Sequence, residues 1–190
     1  MRVKHCRHCI IGQLVVLCAV LALRPAYAAS PSDPSRDASV INAFQVMCDL
    51  TAPNFEGISA RATAMHMQTQ DAQPPSTDGN VRTEHKAWLG RLATGPFGLL
   101  LDRLSGPKGT STSCAVFGSV ADPDIFRNEL VKEMKLQAAS SPEVANGARS
   151  FEWRNRSGAG TTLILRDFTP SGKPGVMVKI LSMVANSTQR

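Results

Sequence analysis

The segment STSCAVFGSVADPD, residues 111–124, sets a strand directly before a helix. Cys114, Val116, Gly118 and Val120 fall on one side of an extended chain, and Ala115 and Phe117 on the other. That period of two is the signature of a strand with both faces packed. Asp122-Pro123 then opens a helix. Asp122 can accept from the free amides of the first turn, and Pro123 suits the first helical position. Phe126, Leu130 and Met134 recur every four residues, and Lys132 and Lys135 sit where the helix dipole favours cations. Ser140-Ser141-Pro142 closes the segment.

Upstream, Lys86 to Leu92 and Gly98 to Leu104 are apolar-rich runs parted by Thr94-Gly95-Pro96 and read as two more strands. Ser105 to Thr110, with Gly106-Pro107 and Gly109, reads as a connection. Ser39 to Asp49 reads as a first helix, with Val40, Phe44 and Met47 on one face and Cys48 near its end. Asn54 caps a second helix running to about Gln68, with an inner stripe of Ile58, Ala62 and Met65. Gln70 to Asn80, holding Pro74-Pro75 and Asp78-Gly79, reads as a loop.

Downstream, Phe151 and Trp153 alternate with Glu152 and Arg154. A turn spans Asn155 to Gly160. Thr162, Ile164 and Phe168 alternate with Leu163 and Leu165, and a second turn runs from Thr169 to Gly175. Val176 to Val184 is the clearest strand, with Val176, Val178 and Ile180 on one face. The expected order is α-α-β-β-β-α-β-β-β. Short turns between neighbouring strands imply an α+β fold with an antiparallel sheet covered by helices.

Residues 1–28 read as a signal peptide. Arg2, Lys4 and Arg7 precede an apolar run from Ile10 to Leu23, and Ala26-Tyr27-Ala28 supplies the cleavage pattern. The run is too short to span ~30 Å of hydrocarbon comfortably, and no second apolar segment of spanning length follows. Residues 29–38, rich in Pro, Ser and Asp, read as a disordered leader, and 39–190 as one domain. Cleavage would carry away Cys6, Cys9 and Cys18. It leaves Cys48 and Cys114 for an oxidising compartment, where one disulfide is expected. It also removes four basic and no acidic residues. The remaining 17 Lys and Arg against 15 Asp and Glu give a net charge of +2. Their densest cluster, Arg149, Arg154 and Arg156, has Glu152 among it, which is not the footprint of a nucleic-acid site.

Chemistry is sparse. Only His66 and His85 remain after residue 28, and no G-x-S-x-G elbow presents a serine. Met65-His66-Met67 carries ligand types that suit copper, but Met65 and Met67 point to different sides of a helix. Asp122 and Asp124 are explained by capping, and Asp102 and Asp167 are isolated within strand patterns. No phosphate-cradling loop occurs. Asn155-Arg156-Ser157 and Asn186-Ser187-Thr188 match the glycosylation acceptor pattern. The residues predict no catalytic centre, no metal site and no cofactor. The one predicted covalent feature is a Cys48–Cys114 disulfide.

Phe44-x-x-x-Cys48, Thr51-x-Pro53 and Ser113-Cys114-x-Val116 resemble small exported proteins of proteobacteria with no assigned function. The resemblance implies export and carries no activity. Three readings follow. The first is a non-enzymatic periplasmic or secreted protein that binds a small ligand or an envelope protein through its sheet. The second is an envelope hydrolase using His66 or His85. The third is a secreted enzyme inhibitor that inserts the Gly106 to Thr110 loop. An apolar pocket without convergent polar groups would favour the first.

Overall fold

The computed structural model describes residues 34–48, 52–70, 74–92, 95–137, 139–154, 160–172 and 175–186. The expected signal peptide, the start of the leader, the 155–159 turn and most of both acceptor triplets lie outside them. Helix α1 runs Pro34–Met47 and α2 Phe55–Ala64. Five strands follow: β1 Gln68–Gln70, β2 Ser76–Asp78, β3 Val81–Leu92, β4 Gly95–Gly106 and β5 Gly109–Gly118. Helix α3 spans Pro123–Glu133, and β6 Glu143–Ala145, β7 Ala148–Arg154, β8 Thr161–Asp167 and β9 Val176–Ala185 complete the chain.

The long elements keep the expected order, and three strands of three residues add to it. β1 and β2 lie end to end along the outer edge of β3, and β6 edges β7. Two antiparallel meanders, β3-β4-β5 and β6-β7-β8-β9, join where β5 pairs with β9. All pairings are antiparallel, and the nine strands form one sheet.

Several boundaries differ from expectation, each for a local reason. α1 starts at Pro34, inside the stretch read as leader, with proline at the first position as its fixed φ allows. α2 stops at Ala64 rather than near Gln68. His66 takes the left-handed φ of 53°, and the Met67 amide reaches back to the Ala62 carbonyl. That closing geometry is usually carried by glycine. Met65 therefore leaves the inner stripe and is half exposed, while Phe55, Ile58 and Ala62 are buried. Lys135 ends α3 the same way, with φ 49° and the Leu136 amide on the Val131 carbonyl. The Gln70 to Asn80 loop contains β2, and Gly79-Asn80 makes the hairpin turn between Asp78 and Val81. The Ser105 to Thr110 connection is a tight hairpin, with Gly106 paired to Gly109 across Pro107-Lys108.

The helices cover one face of the sheet. α1 packs on β4 and β5, α2 on β4, and α3 against α1. Val40, Phe44 and Met47 are buried as the pattern predicted, with Ile41 beside them. They meet Leu99 and Leu101 of β4 and Cys114 and Val116 of β5 in one core. Each such large side chain contributes about 1.5–3 kcal/mol by leaving water. Asn54 caps α2 through the Gly57 amide (2.7 Å), and Asp122 caps α3 through the Asp124 and Ile125 amides. Arg61 donates to the Val46 and Met47 carbonyls and so satisfies the C-terminal end of α1 from α2. Cys48, just past α1, is bonded to Cys114 in the middle of β5, with Cα atoms 5.6 Å apart. The expected disulfide thus ties the helical layer to the centre of the sheet. Among the described residues, no helix is long and apolar enough to cross a membrane.

Candidate functional site

Alternation along the strands sends every second side chain to the face that carries no helix. The register fixes what stands there in rows. One row crosses β3, β4, β5, β9 and β8 as Leu89, Gly98, Phe117, Met177 and Arg166. The next reads Ala87, Leu100, Ala115, Lys179 and Ile164, and the third reads His85, Asp102, Ser113, Leu181 and Thr162. Two mostly apolar rows therefore lie together on one side of a polar one.

The polar row brings together three residues that the sequence left apart. His85 Nδ1 lies 2.5 Å from Asp102 Oδ1, and Ser113 Oγ donates to Asp102 Oδ2 at 3.1 Å. Lys179 Nζ reaches the same carboxylate oxygen at 4.0 Å. The carboxylate, not the imidazole, stands in the middle. A hydrolytic relay needs the imidazole between nucleophile and acid, so that it can take the hydroxyl proton. Here the serine hydroxyl is committed to Asp102. The row was legible in principle, since Asp102 lies as far before the Pro107-Lys108 turn as Ser113 lies after it.

The remaining candidates are scattered. His66 is exposed at the end of α2. Met65 is exposed while Met67 packs on the core, so the two sulfurs do not converge. Asp124 pairs with Arg127 and Arg149. Asp167 is buried and accepts from Arg149 and from both the amide and hydroxyl of Thr169. Burial alone would raise its carboxyl; the hydrogen bonds from Thr169 and Arg149 outweigh that and hold it below its ordinary value. Arg149 and Arg127 flank the Phe151 ring, and Arg154 pairs with Glu152. These basic residues brace β7. Trp153 is buried and donates to the Gln137 carbonyl. Among the described residues, no three His, Cys, Asp or Glu side chains gather as a metal site would require.

The apolar rows open into a groove of about 550 Å³. Its walls are Leu89 of β3, Pro96 to Gly98 and Leu100 of β4, Phe117 to Ser119, Phe168, and Gly175 to Met177. None of these side chains ionises. The Phe117 ring reaches across to β4, where a Cβ on residue 98 would sit 1.8 Å from its Cζ. Gly98 thus gives the groove an aromatic floor, and any larger residue there would push Phe117 up. Leu89 on the rim is 41% exposed. A second apolar groove of about 440 Å³ lies beyond the polar row, between Val81, Leu104 and Met183. No family model, curated protein or solved structure matches the chain.

Proposed function

We propose that this is an exported, non-enzymatic binding protein, periplasmic or secreted, that takes up an apolar ligand on the helix-free face of its sheet. The alternative occupant within this reading is an apolar segment of an envelope protein. One observation carries it: a groove of about 550 Å³ walled, apart from Ser119, by apolar residues and glycines, with no ionisable group in its lining. Pockets that hold small apolar molecules are of this size and character. Export rests on the signal-peptide pattern, on the resemblance to small exported proteobacterial proteins, and on a disulfide of the kind that persists in oxidising compartments.

The two other readings have less behind them. For a hydrolase, the His85, Asp102 and Ser113 row has the wrong member at its centre. For an inserted inhibitor loop, the Gly106 to Thr110 segment holds only the two-residue turn Pro107-Lys108 between paired strand ends, held down by Asn186 Nδ2 on the Gly106 and Pro107 carbonyls.

The neutral fluorophore N-phenyl-1-naphthylamine tests the binding reading. Its emission should rise saturably with the native protein. It should fall back in Leu89→Glu and Met177→Glu, each of which puts a charge at the groove. No saturable rise, or a rise unchanged in both variants, would overturn the reading. For export, amino-terminal sequencing of the secreted or periplasmic protein should begin at Ala29, and a chain retaining Met1 would overturn it.

A further inference from the structure

The groove has an apolar floor and a cation at each end: Arg91 of β3 stands opposite Pro96, and Arg166 of β8 lies at the other edge. Arg166 stands opposite Met177 in the β8–β9 ladder, and its guanidinium lies over the Phe168 ring at 5.8 Å. Met177 and Phe168 both line the groove. The ring contact fixes the guanidinium beside the apolar wall without neutralising it.

Every nearby carboxylate is already engaged. Glu152, one row away on β7, pairs with Arg154. Asp167, next in sequence, turns to the buried side and pairs with Arg149. Asp102 is taken by His85, Ser113 and Lys179. Arg166 makes no ion pair among the described residues, whereas Lys179, the neighbouring cation on this face, has Asp102. A guanidinium presents a planar fork of donors that matches a carboxylate bidentately.

Building on the groove as a ligand site, we infer that its ligand is a single-chain anionic amphiphile. The hydrocarbon chain lies over Phe117 and Met177, and the carboxylate head meets Arg166. Apolar contact supplies affinity for the chain. The Arg166 fork selects a carboxylate head over a hydroxyl, because the anion accepts two charge-assisted hydrogen bonds where the hydroxyl oxygen accepts a weaker one.

The test compares decanoate with 1-decanol, both below the concentration at which they self-associate, by calorimetric titration of the protein without its signal peptide. Decanoate should bind about tenfold more tightly than decanol. Arg166→Gln should erase that preference by weakening decanoate alone, and Arg166→Lys should restore part of it. The unfolding midpoint of each variant checks that the fold is intact; Arg166 is only partly buried and bridges no elements by ion pairs, so it should be unchanged. Equal binding of both compounds, unaffected by Arg166→Gln, would overturn the head-group assignment while leaving the apolar groove standing. Binding of neither compound, and none to phosphatidylglycerol vesicles, would overturn both. Binding only to phosphatidylglycerol vesicles, with none to monomeric decanoate, would overturn the single-chain assignment in favour of a membrane surface.

Discussion

Breaking the Cys48–Cys114 bridge should cost this protein much of its stability, and should free α1 first. The bridge spans a sequence separation of 66. Closing a loop of that length removes chain entropy from the unfolded state worth about 4 kcal/mol in the chain-entropy model. That is a large share of the 5–15 kcal/mol that folded domains typically hold. Both sulfurs are fully buried between α1 and β5, so replacing them with alanine would add a packing loss to the entropic one. Reduction of the native protein isolates the entropic part, and the Cys48→Ala/Cys114→Ala variant measures the sum. In guanidinium, with a slope of roughly 4 kcal/mol per molar, the reduced midpoint should fall by about 1 M. The double variant should fall further. Hydrogen exchange should show where the loss begins. α1 stands first among the described elements and, once the bridge is gone, is held by apolar contacts led by Val40, Ile41, Phe44 and Met47 and by the Arg61 hydrogen bonds to its last carbonyls. Amides of Ala43 to Met47 should therefore exchange faster on reduction, while those of β4 and β5 lag. A midpoint moved by less than about 0.2 M, or two freely alkylatable thiols in unreduced native protein, would refute the reasoning.

Three further outcomes follow from local geometry. Gly109→Ala should destabilise by roughly 2–3 kcal/mol in chemical denaturation, because φ there is 141° and the new Cβ would lie 2.2 Å from the Val184 carbonyl oxygen, which is backbone and cannot swing away. Lys135→Gly should raise stability by about 0.5 kcal/mol, since relief of the left-handed strain exceeds the extra freedom gained by the unfolded chain, and a rise in melting temperature checks it. Asp167 has a folded pKa below its ordinary 3.8, so its contribution is complete above about pH 4 and is lost as pH falls through the lower folded value. Asp167→Asn should flatten the stability profile below pH 4 and cost about 2 kcal/mol at neutral pH, the worth of hydrogen bonds to a charged group; an unchanged acid limb would contradict this.

The long elements were legible because each carries a period. Phe126, Leu130 and Met134 mark a helix, and Val176, Val178 and Ile180 mark a strand, whatever surrounds them. Three-residue strands have no room for a period. β1, β2 and β6 exist only because a long neighbour offers an edge, and β2 and β6 are exposed throughout. The first half of β3 was missed for a related reason. Arg82 and Glu84 look like loop residues, yet Glu84 pairs with Arg103, which in turn reaches Glu56 of α2 and lies over the Phe55 ring. A polar strand face is stable here because a helix start supplies its partners. The helix ends were missed because His66 and Lys135 do the work usually given to glycine. The disulfide was legible by elimination, since the expected signal-peptide cleavage would leave two cysteines. The groove was not: it depends on the two hairpin registers that place Phe117 over Gly98 and Asp102 between His85 and Ser113.

The chemistry of the open face is what separates a binding role from a purely structural one. An antiparallel sheet with helices on one side can turn a polar face to water, and in most such sheets it does. This sheet covers one face, locks a helix to it with a disulfide, and then leaves Leu89, Leu104 and Met183 substantially exposed on the other. The polar row shows that polar residues are accommodated there: His85, Asp102 and Ser113 satisfy one another on this face. The apolar rows beside it are therefore not imposed by the fold. Phe117 could be threonine and Leu89 lysine without disturbing the helical core, because neither side chain enters it. Apolar surface kept in water against that alternative has its use when something covers it. On the proposed reading, the helix-backed sheet would hold the floor of the groove in place before a ligand arrives, so that little ordering would offset the affinity gained on binding.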